Sequence, residues 1–551
     1  MKTKTFFIPQ KPIIIMLFLT LFIGCSNLDQ DDFTSISEIS DGVPWYEQLD
    51  QFDSPSGIIV TEGTSIQDAI NEANTGDAIY IEPGNYRGPI SFKSTVKLVG
   101  LSNDSGRSVI IENSGINSNQ DIPTGIEMKN IQFRSINGKV FKASANKTKE
   151  KSNEKFITMT REEFEGNVAH YKFDVRLGHG KYEHITLHRL VRENSKYRPV
   201  ETQGNIFMVH GASQNFEDIF LVAGEPNISV HSSIPMYLAS NGIDVWGIDL
   251  GWTRVPAEET DFSFMEHWGV ERDVDDVLKS MTIARVIRGI TKQGFGRMNL
   301  LGFSYSVSLA YVAAGLETQE HWIKRDINGI IPIDGLLKID PQKTDAIQQS
   351  CGSADYIKGV LESGIFQNQN GVYAFGQLAA ANPDGPSPII PGFTNFQAAL
   401  FVGTNLYNIA PTPNPHWHFV AGLYDNGIPY DLAYSSADRW IQLLAAPHAG
   451  PYMPQKTGYD LNVCQCNIED SPLDDYFTDI EIPIFYIGSG GATEADGFYT
   501  VDQLKSQDKT KYIVSLNPEP TLDFGHGDLF IANNADSEVW EVIRQWVLGH
   551  N

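Results

Sequence analysis

Several short runs in the later part of the chain are almost continuously apolar: NIFMVHG (205–211), IDVWGIDL (243–250), MNLLGFS (298–304), INGIIPIDG (327–335), IPIFYIGS (482–489) and KYIVSLN (511–517). Runs this short, rich in Val, Ile and Phe, are what strands need when both faces of a sheet are covered. Between them stand segments such as VERDVDDVLKSMTIARVIRGI (270–290), whose apolar positions recur three and four apart and predict helices. The alternation predicts a doubly wound, mostly parallel α/β sheet over about 156–551. Upstream, HYKFDVRL (170–177) and HITLHRLVRE (184–193) alternate apolar and polar residues and predict an antiparallel hairpin.

The pattern over 57–141 is different. Very short apolar runs, AIYIEPG, VKLVG, SVIIEN and GIEMKNIQF, recur at close intervals with Gly, Pro and Asn between them. That rhythm predicts stacked coils, a short right-handed parallel β-helix-like all-β domain. SIQDAINEANTGDAIYIEPGNYRG (65–88) resembles the opening cap and first coil of pectin-lyase-like β-helices. The resemblance covers too few coils for a groove-borne site, so the segment reads as structural, with polysaccharide contact as the alternative. KASANKTKEKSNEK (142–155) is polar, Lys-rich and without apolar period, and marks a linker.

At the N-terminus, Lys2, Lys4 and Lys11 precede the apolar run IIIMLFLTLFIG (13–24), and Cys25 follows. A basic start and an apolar run too short to span a bilayer predict a secretory signal over 1–24. LFIGC resembles a bacterial lipobox, which implies cleavage before Cys25, lipidation of its thiol and a membrane anchor in the cell envelope, at the outer membrane or surface. The alternative is cleavage with release. Residues 25–56 begin polar and acidic and are expected to form a flexible tether. The formal charge of −27 excludes a nucleic-acid partner by repulsion from phosphate. Of the other cysteines, Cys351 is expected to pair with Cys464 or Cys466, which are too close together to bridge each other.

Candidate chemistry begins at Gly302-Phe303-Ser304-Tyr305-Ser306, which sits between a predicted strand and a predicted helix and misses G-x-S-x-G only at Ser306. A buried strand, a serine between small residues and a helix make a nucleophile elbow. His210-Gly211-Ala212 ends an earlier strand, and His526 lies in a Gly-flanked loop, DFGHGD, before the terminal helix. Together these features resemble the α/β-hydrolases, lipase- and esterase-like serine hydrolases, across roughly 156–551. The resemblance implies Ser304 as nucleophile, His526 as general base, the Ala212 and Tyr305 amides as oxyanion hole, and no metal or organic cofactor. It also implies a carboxylate on His526. The loop after IPIFYIGS holds only glycines at the usual place, which leaves Asp496 as first choice and Asp334, after the preceding strand, as the alternative. His416 and His418 in PNPHWHF read as packing or lid residues rather than metal ligands.

The long aromatic and Pro-rich insertion at about 336–480 corresponds to a cap, which suggests a bulky or apolar ester. The expected activity is carboxylic-ester hydrolysis through an acyl-enzyme. The alternatives are a carbohydrate acyl or feruloyl esterase, a polyester depolymerase, or a non-catalytic binding lipoprotein.

Overall fold

A computed structural model describes residues 44–143 with short gaps (53, 55, 93–94, 103–107, 117–121, 124–125 and 135–139), then 155–221, 229, 231–369, 371–407, 415–446, 452–467 and 470–551. The expected signal segment and Cys25 lie outside the described residues, as does most of the expected linker.

The main sheet is ten-stranded. Its strands are β1 (Ile157–Phe164), β2 (Val168–Arg176), β3 (His184–Ser195), β4 (Gly204–Val209), β5 (Ile243–Asp249), β6 (Met298–Phe303), β7 (Ile327–Ile333), β8 (Ile484–Ser489) and β9 (Lys509–Val514), with the short Arg198–Pro199 beside β3. The order across the sheet is β9-β8-β7-β6-β4-β5-β3-β2-β1. From β5 through β4 and β6 to β9 all neighbours are parallel, while β1, β2 and β3 form an antiparallel flank that joins β5. The chain places β5 on one side of β4 and then returns to lay β6 on the other. Such a reversal opens a crevice beyond the carboxyl ends of the two strands, the favoured place for a site in open α/β sheets.

Each central strand alternates its apolar side chains between two cores. Phe207, Val209 and Leu300 join Trp246, Val277, Ile287 and Tyr311 under α2 (Val270–Ile290) and α3 (Tyr305–Gln319). On the opposite face, Ile206, Met208 and Leu301 meet Leu238 of α1 (Ile234–Ser240) and Ile543 of α9 (Glu541–Gly549). Between β7 and β8 the insertion folds as α4 (Thr344–Glu362), α5 (Tyr373–Ala381), α6 (Asn395–Thr404), α7 (Ala437–Ala445) and α8 (Gln455–Cys466). Cys351 of α4 is bridged to Cys466 of α8, while Cys464 stays a buried free thiol. Among the described residues no helix is long and apolar enough to cross a membrane.

Residues 57–134 form in-register parallel ladders. One sheet stacks Gly57–Val60, Ala78–Ile81, Lys97–Gly100 and Glu127–Lys129; the other stacks Asn85–Arg87, Val109–Glu112 and Ile131–Arg134. Ile58, Ile79, Leu98, Ile111 and Phe133 share one core with Ile323, which lies just before β7. Tyr80, Val99 and Leu101 are instead buried in the α2–α3 core, so this stack packs directly on the main sheet's helices. The expected tether needs correction at its end. Trp45–Gln51 is a short helix, and buried Trp45 packs edge-on against Tyr171 of β2 with its indole N–H donating to the Tyr197 carbonyl at 2.9 Å.

Candidate active site

Ser304 stands where β6 ends and α3 begins, with φ 55° and ψ −116°. Such a backbone is costly for a residue with a Cβ and persists only where neighbours hold it. Ser304 N donates to the Ile333 carbonyl at 2.9 Å, which pins the turn to β7. The tight turn also dictates Gly302, where a Cβ would lie 2.1 Å from the Ser306 carbonyl oxygen, and Gly335, where one would lie 2.7 Å from the Ser304 oxygen.

Val209 is in register with Gly302, so the His210-Gly211-Ala212 loop leaves its strand beside the elbow. The buried His210 ring bridges this loop: Nε2 accepts from Leu250 N at 3.2 Å, and Nδ1 donates to the Gly211 carbonyl at 2.8 Å. Burial pushes the His210 pKa below the usual value, in keeping with a neutral ring that has one donor and one acceptor. Ser306 contributes something glycine could not. Its hydroxyl donates to the His210 carbonyl at 2.5 Å, which ties the loop to the first turn of α3. Further along, Asp249 at the end of β5 accepts from Phe216 N at 2.8 Å and contacts His188 at 3.0 Å. Tyr305 opens α3, so its amide has no carbonyl one turn back. The Ala212 amide has no acceptor among the described residues. Ala212 and Tyr305 line the same cavity as Ser304.

The carboxylate that meets His526 is Asp334. Its Oδ2 lies 2.5 Å from His526 Nδ1, and its Oδ1 accepts from Ser489 N at 2.9 Å and Thr493 N at 3.2 Å. Asp334 follows β7, the neighbour of β6, with φ 51°. This overturns the first choice, Asp496, which is ion-paired with Lys343. The reason is steric. After β8 the chain runs so close to the histidine loop that a Cβ at Gly490 would lie 2.1 Å from Asp523 Oδ2, and one at Gly491 would lie 2.4 Å from the His418 ring. No side chain fits there, and the carboxylate that reaches His526 comes from the adjacent strand.

The cap holds the histidine loop. His526 N donates to the His418 carbonyl at 3.0 Å and Gly527 N to the Phe419 carbonyl at 2.6 Å. The His526 ring stacks on Phe303 at 4.5 Å, and Trp417 packs obliquely at 5.1 Å. His418 is buried, with its ring nitrogens 2.7 Å from the His416 carbonyl and 2.9 Å from that of Asp523; His416 Nε2 lies 3.8 Å from Glu494. Nothing in the sequence spacing marked Ser306, Thr493 or Trp417 as parts of the site. Nδ1 of His526 is engaged by Asp334. Ser304 and His526 line one cavity of about 620 Å³, with Ala212, Tyr305, Trp417 and Leu461 among its walls.

Comparison with solved structures finds the same architecture. The chain is similar over 72% of its length to 99% of a putative lipase from Sulfolobus solfataricus, at 19% identity and a TM-score of 0.50. The fold is that of the α/β-hydrolases. Weaker likenesses of the α/β-hydrolase fold include a soluble variant of monoglyceride lipase from Saccharomyces cerevisiae, at 14% identity over 73% of this chain and 98% of that one, with a TM-score of 0.32. An α/β-hydrolase fold protein from Chitinophaga pinensis is 11% identical over 71% of this chain and 96% of that one, with a TM-score of 0.31. No family model matches the chain, and no curated protein matches it.

Proposed function

We propose that the protein is a serine hydrolase of carboxylic esters. The observation that carries this reading is the Asp334–His526 contact at 2.5 Å, beside a serine held at φ 55° in the strand–turn–helix elbow. His526 Nε2 takes the Ser304 proton as Oγ attacks the ester carbonyl carbon, and the carbonyl oxygen becomes an oxyanion on the Ala212 and Tyr305 amides. Collapse of this intermediate breaks the bond to the alcohol, which leaves with the proton from His526. Water, deprotonated by the same nitrogen, then attacks the acyl-Ser304 ester; the acid departs and Ser304 regains its proton. Asp334 fixes the Nδ1–H tautomer and stabilises the imidazolium without taking a proton. The similarity to a putative lipase supports the same reaction class.

The stack over 57–141 is read as a short β-helix-like structural module, supported by its parallel ladders and its burial against the α2–α3 core. The chain is further proposed to be anchored in the cell envelope through Cys25. The catalytic reading is tested by turnover of p-nitrophenyl esters. The wild type hydrolyses them and Ser304→Ala loses at least a thousandfold in kcat; equal rates for the two proteins refute the assignment.

A further inference from the structure

A second cavity of about 280 Å³ adjoins the first beside His526. Ala212, Ser213, Gln214, Phe303, Phe419 and His526 line both, while Ser304 lines the larger alone. The smaller cavity runs between the core and the cap helices, where its walls are Val402 of α6, Trp440, Leu443 and Leu444 of α7, and Ile219. These walls are mainly apolar, with Ser213 and Gln214 adding polar groups where the two cavities adjoin. Asp218 also borders the cavity, and burial pushes its carboxyl pKa well above the usual range. The larger cavity adds polar groups to its walls, Asn368, Gln465 and Thr493 among them.

An ester carbonyl whose oxygen sits on the Ala212 and Tyr305 amides must send its two substituents apart. The order of events decides which goes where. The alcohol leaves first and water must follow it in, so the larger, more polar cavity suits the alcohol. The acyl group stays attached to Ser304 until deacylation and suits the smaller, more apolar cavity.

Building on the serine-esterase reading, we propose that the smaller cavity takes the acyl chain and that Val402, Leu443 and Leu444 limit its length, making the substrates medium-chain acyl esters of a bulky alcohol that carries polar groups. At about 30 Å³ for each water-sized group, the cavity takes on the order of nine, which corresponds to an acyl chain of about eight to ten carbons. Each methylene moved from water into such a wall favours turnover by about fourfold, until the cavity is full.

The test measures kcat/KM of the full chain on p-nitrophenyl acetate, butyrate, octanoate, decanoate and palmitate, with alkyl acetates of rising alcohol length as a second series. The wild type is expected to rise steeply to octanoate or decanoate and fall at palmitate. Val402→Phe fills the cavity and should lower the octanoate-to-acetate ratio at least tenfold. Leu443→Ala enlarges it and should move the optimum to longer chains. Neither change should move the profile of the alcohol series.

Fluorophosphonate labelling of Ser304 in each variant separates misfolding from a true shift. A flat acyl profile, an unmoved ratio in both labelled variants, or a shift in the alcohol series instead overturns this proposal while leaving the esterase reading intact. Absence of labelling and of turnover in the wild type overturns both.

Discussion

In Asp334→Asn the side chain keeps its shape and exchanges one carboxylate oxygen for an NH2. The native carboxylate accepts from three donors: His526 Nδ1, Ser489 N and Thr493 N. Asparagine has a single oxygen and must choose. If that oxygen stays on the Ser489 and Thr493 amides, the NH2 faces His526 Nδ1. The ring proton then moves to Nε2, the nitrogen that must accept from Ser304. If the amide flips, the active tautomer is kept, but two buried N–H groups lose their acceptor at about 1–3 kcal/mol each. The inactive arrangement is therefore favoured by about 2–6 kcal/mol, which corresponds to a loss of about 30-fold to 3 × 10⁴-fold in kcat/KM. Asp496→Asn removes only an ion pair with a half-exposed lysine and should stay within about twofold of wild type. The assay is p-nitrophenyl ester hydrolysis by both variants, with thermal melting to confirm folding. A folded Asp334→Asn protein retaining more than a tenth of wild-type activity, or an equal loss in Asp496→Asn, would refute this assignment of the acid.

Ser306→Ala frees the His210 carbonyl from its partner and loosens the loop that carries the Ala212 amide. It should lower kcat by about 3- to 30-fold with little change in KM, whereas unchanged kcat contradicts a positioning role for the hydroxyl. Replacing both Cys351 and Cys466 by serine opens a loop with a sequence separation of 115 and should destabilise the cap by about 4–5 kcal/mol on the chain-entropy account. The check is differential scanning calorimetry with and without the substitutions. Asp276 on α2 is buried, with Arg272 at 3.4 Å, and burial pushes its carboxyl up from 3.8 to about 7. The folded state therefore holds this proton more tightly than the unfolded chain. The group's contribution to stability is full below pH 4, is lost as pH rises to about 7, and is level above. The loss is on the order of 4 kcal/mol. Asp276→Asn should remove that slope, so the difference in Tm between variant and wild type grows in the variant's favour from pH 4 to pH 8; a constant difference contradicts the reading.

The central sheet was legible because its strands are buried on both faces and read as unbroken apolar runs; β4 to β9 fall within a few residues of where the pattern puts them. β1, with the sequence ITMTREEF, was missed because it is the sheet's edge strand and carries charge on its open side. The places of Ser304, His526, Ala212 and Tyr305 in the fold were legible because an elbow, a strand-end glycine loop and a terminal-helix loop each have a local signature. The carboxylate that contacts His526 was not, since whether Asp334 or Asp496 reaches the ring depends on the path of the chain after β8. The glycines at 490 and 491 were visible, but the crowding that requires them is a tertiary fact. Ser306 looked like a departure from a motif, and only the neighbouring β4 loop reveals what its hydroxyl does. The end of the supposed tether hid Trp45 for a similar reason: a single buried indole has no period.

The most direct measurement is peptide mapping by mass spectrometry after reaction with a fluorophosphonate. A phosphonyl adduct confined to the peptide that carries Ser304, absent in Ser304→Ala and strongly slowed in His526→Ala, is the result the account predicts. Labelling at a different serine, or undiminished labelling of Ser304→Ala, would contradict it.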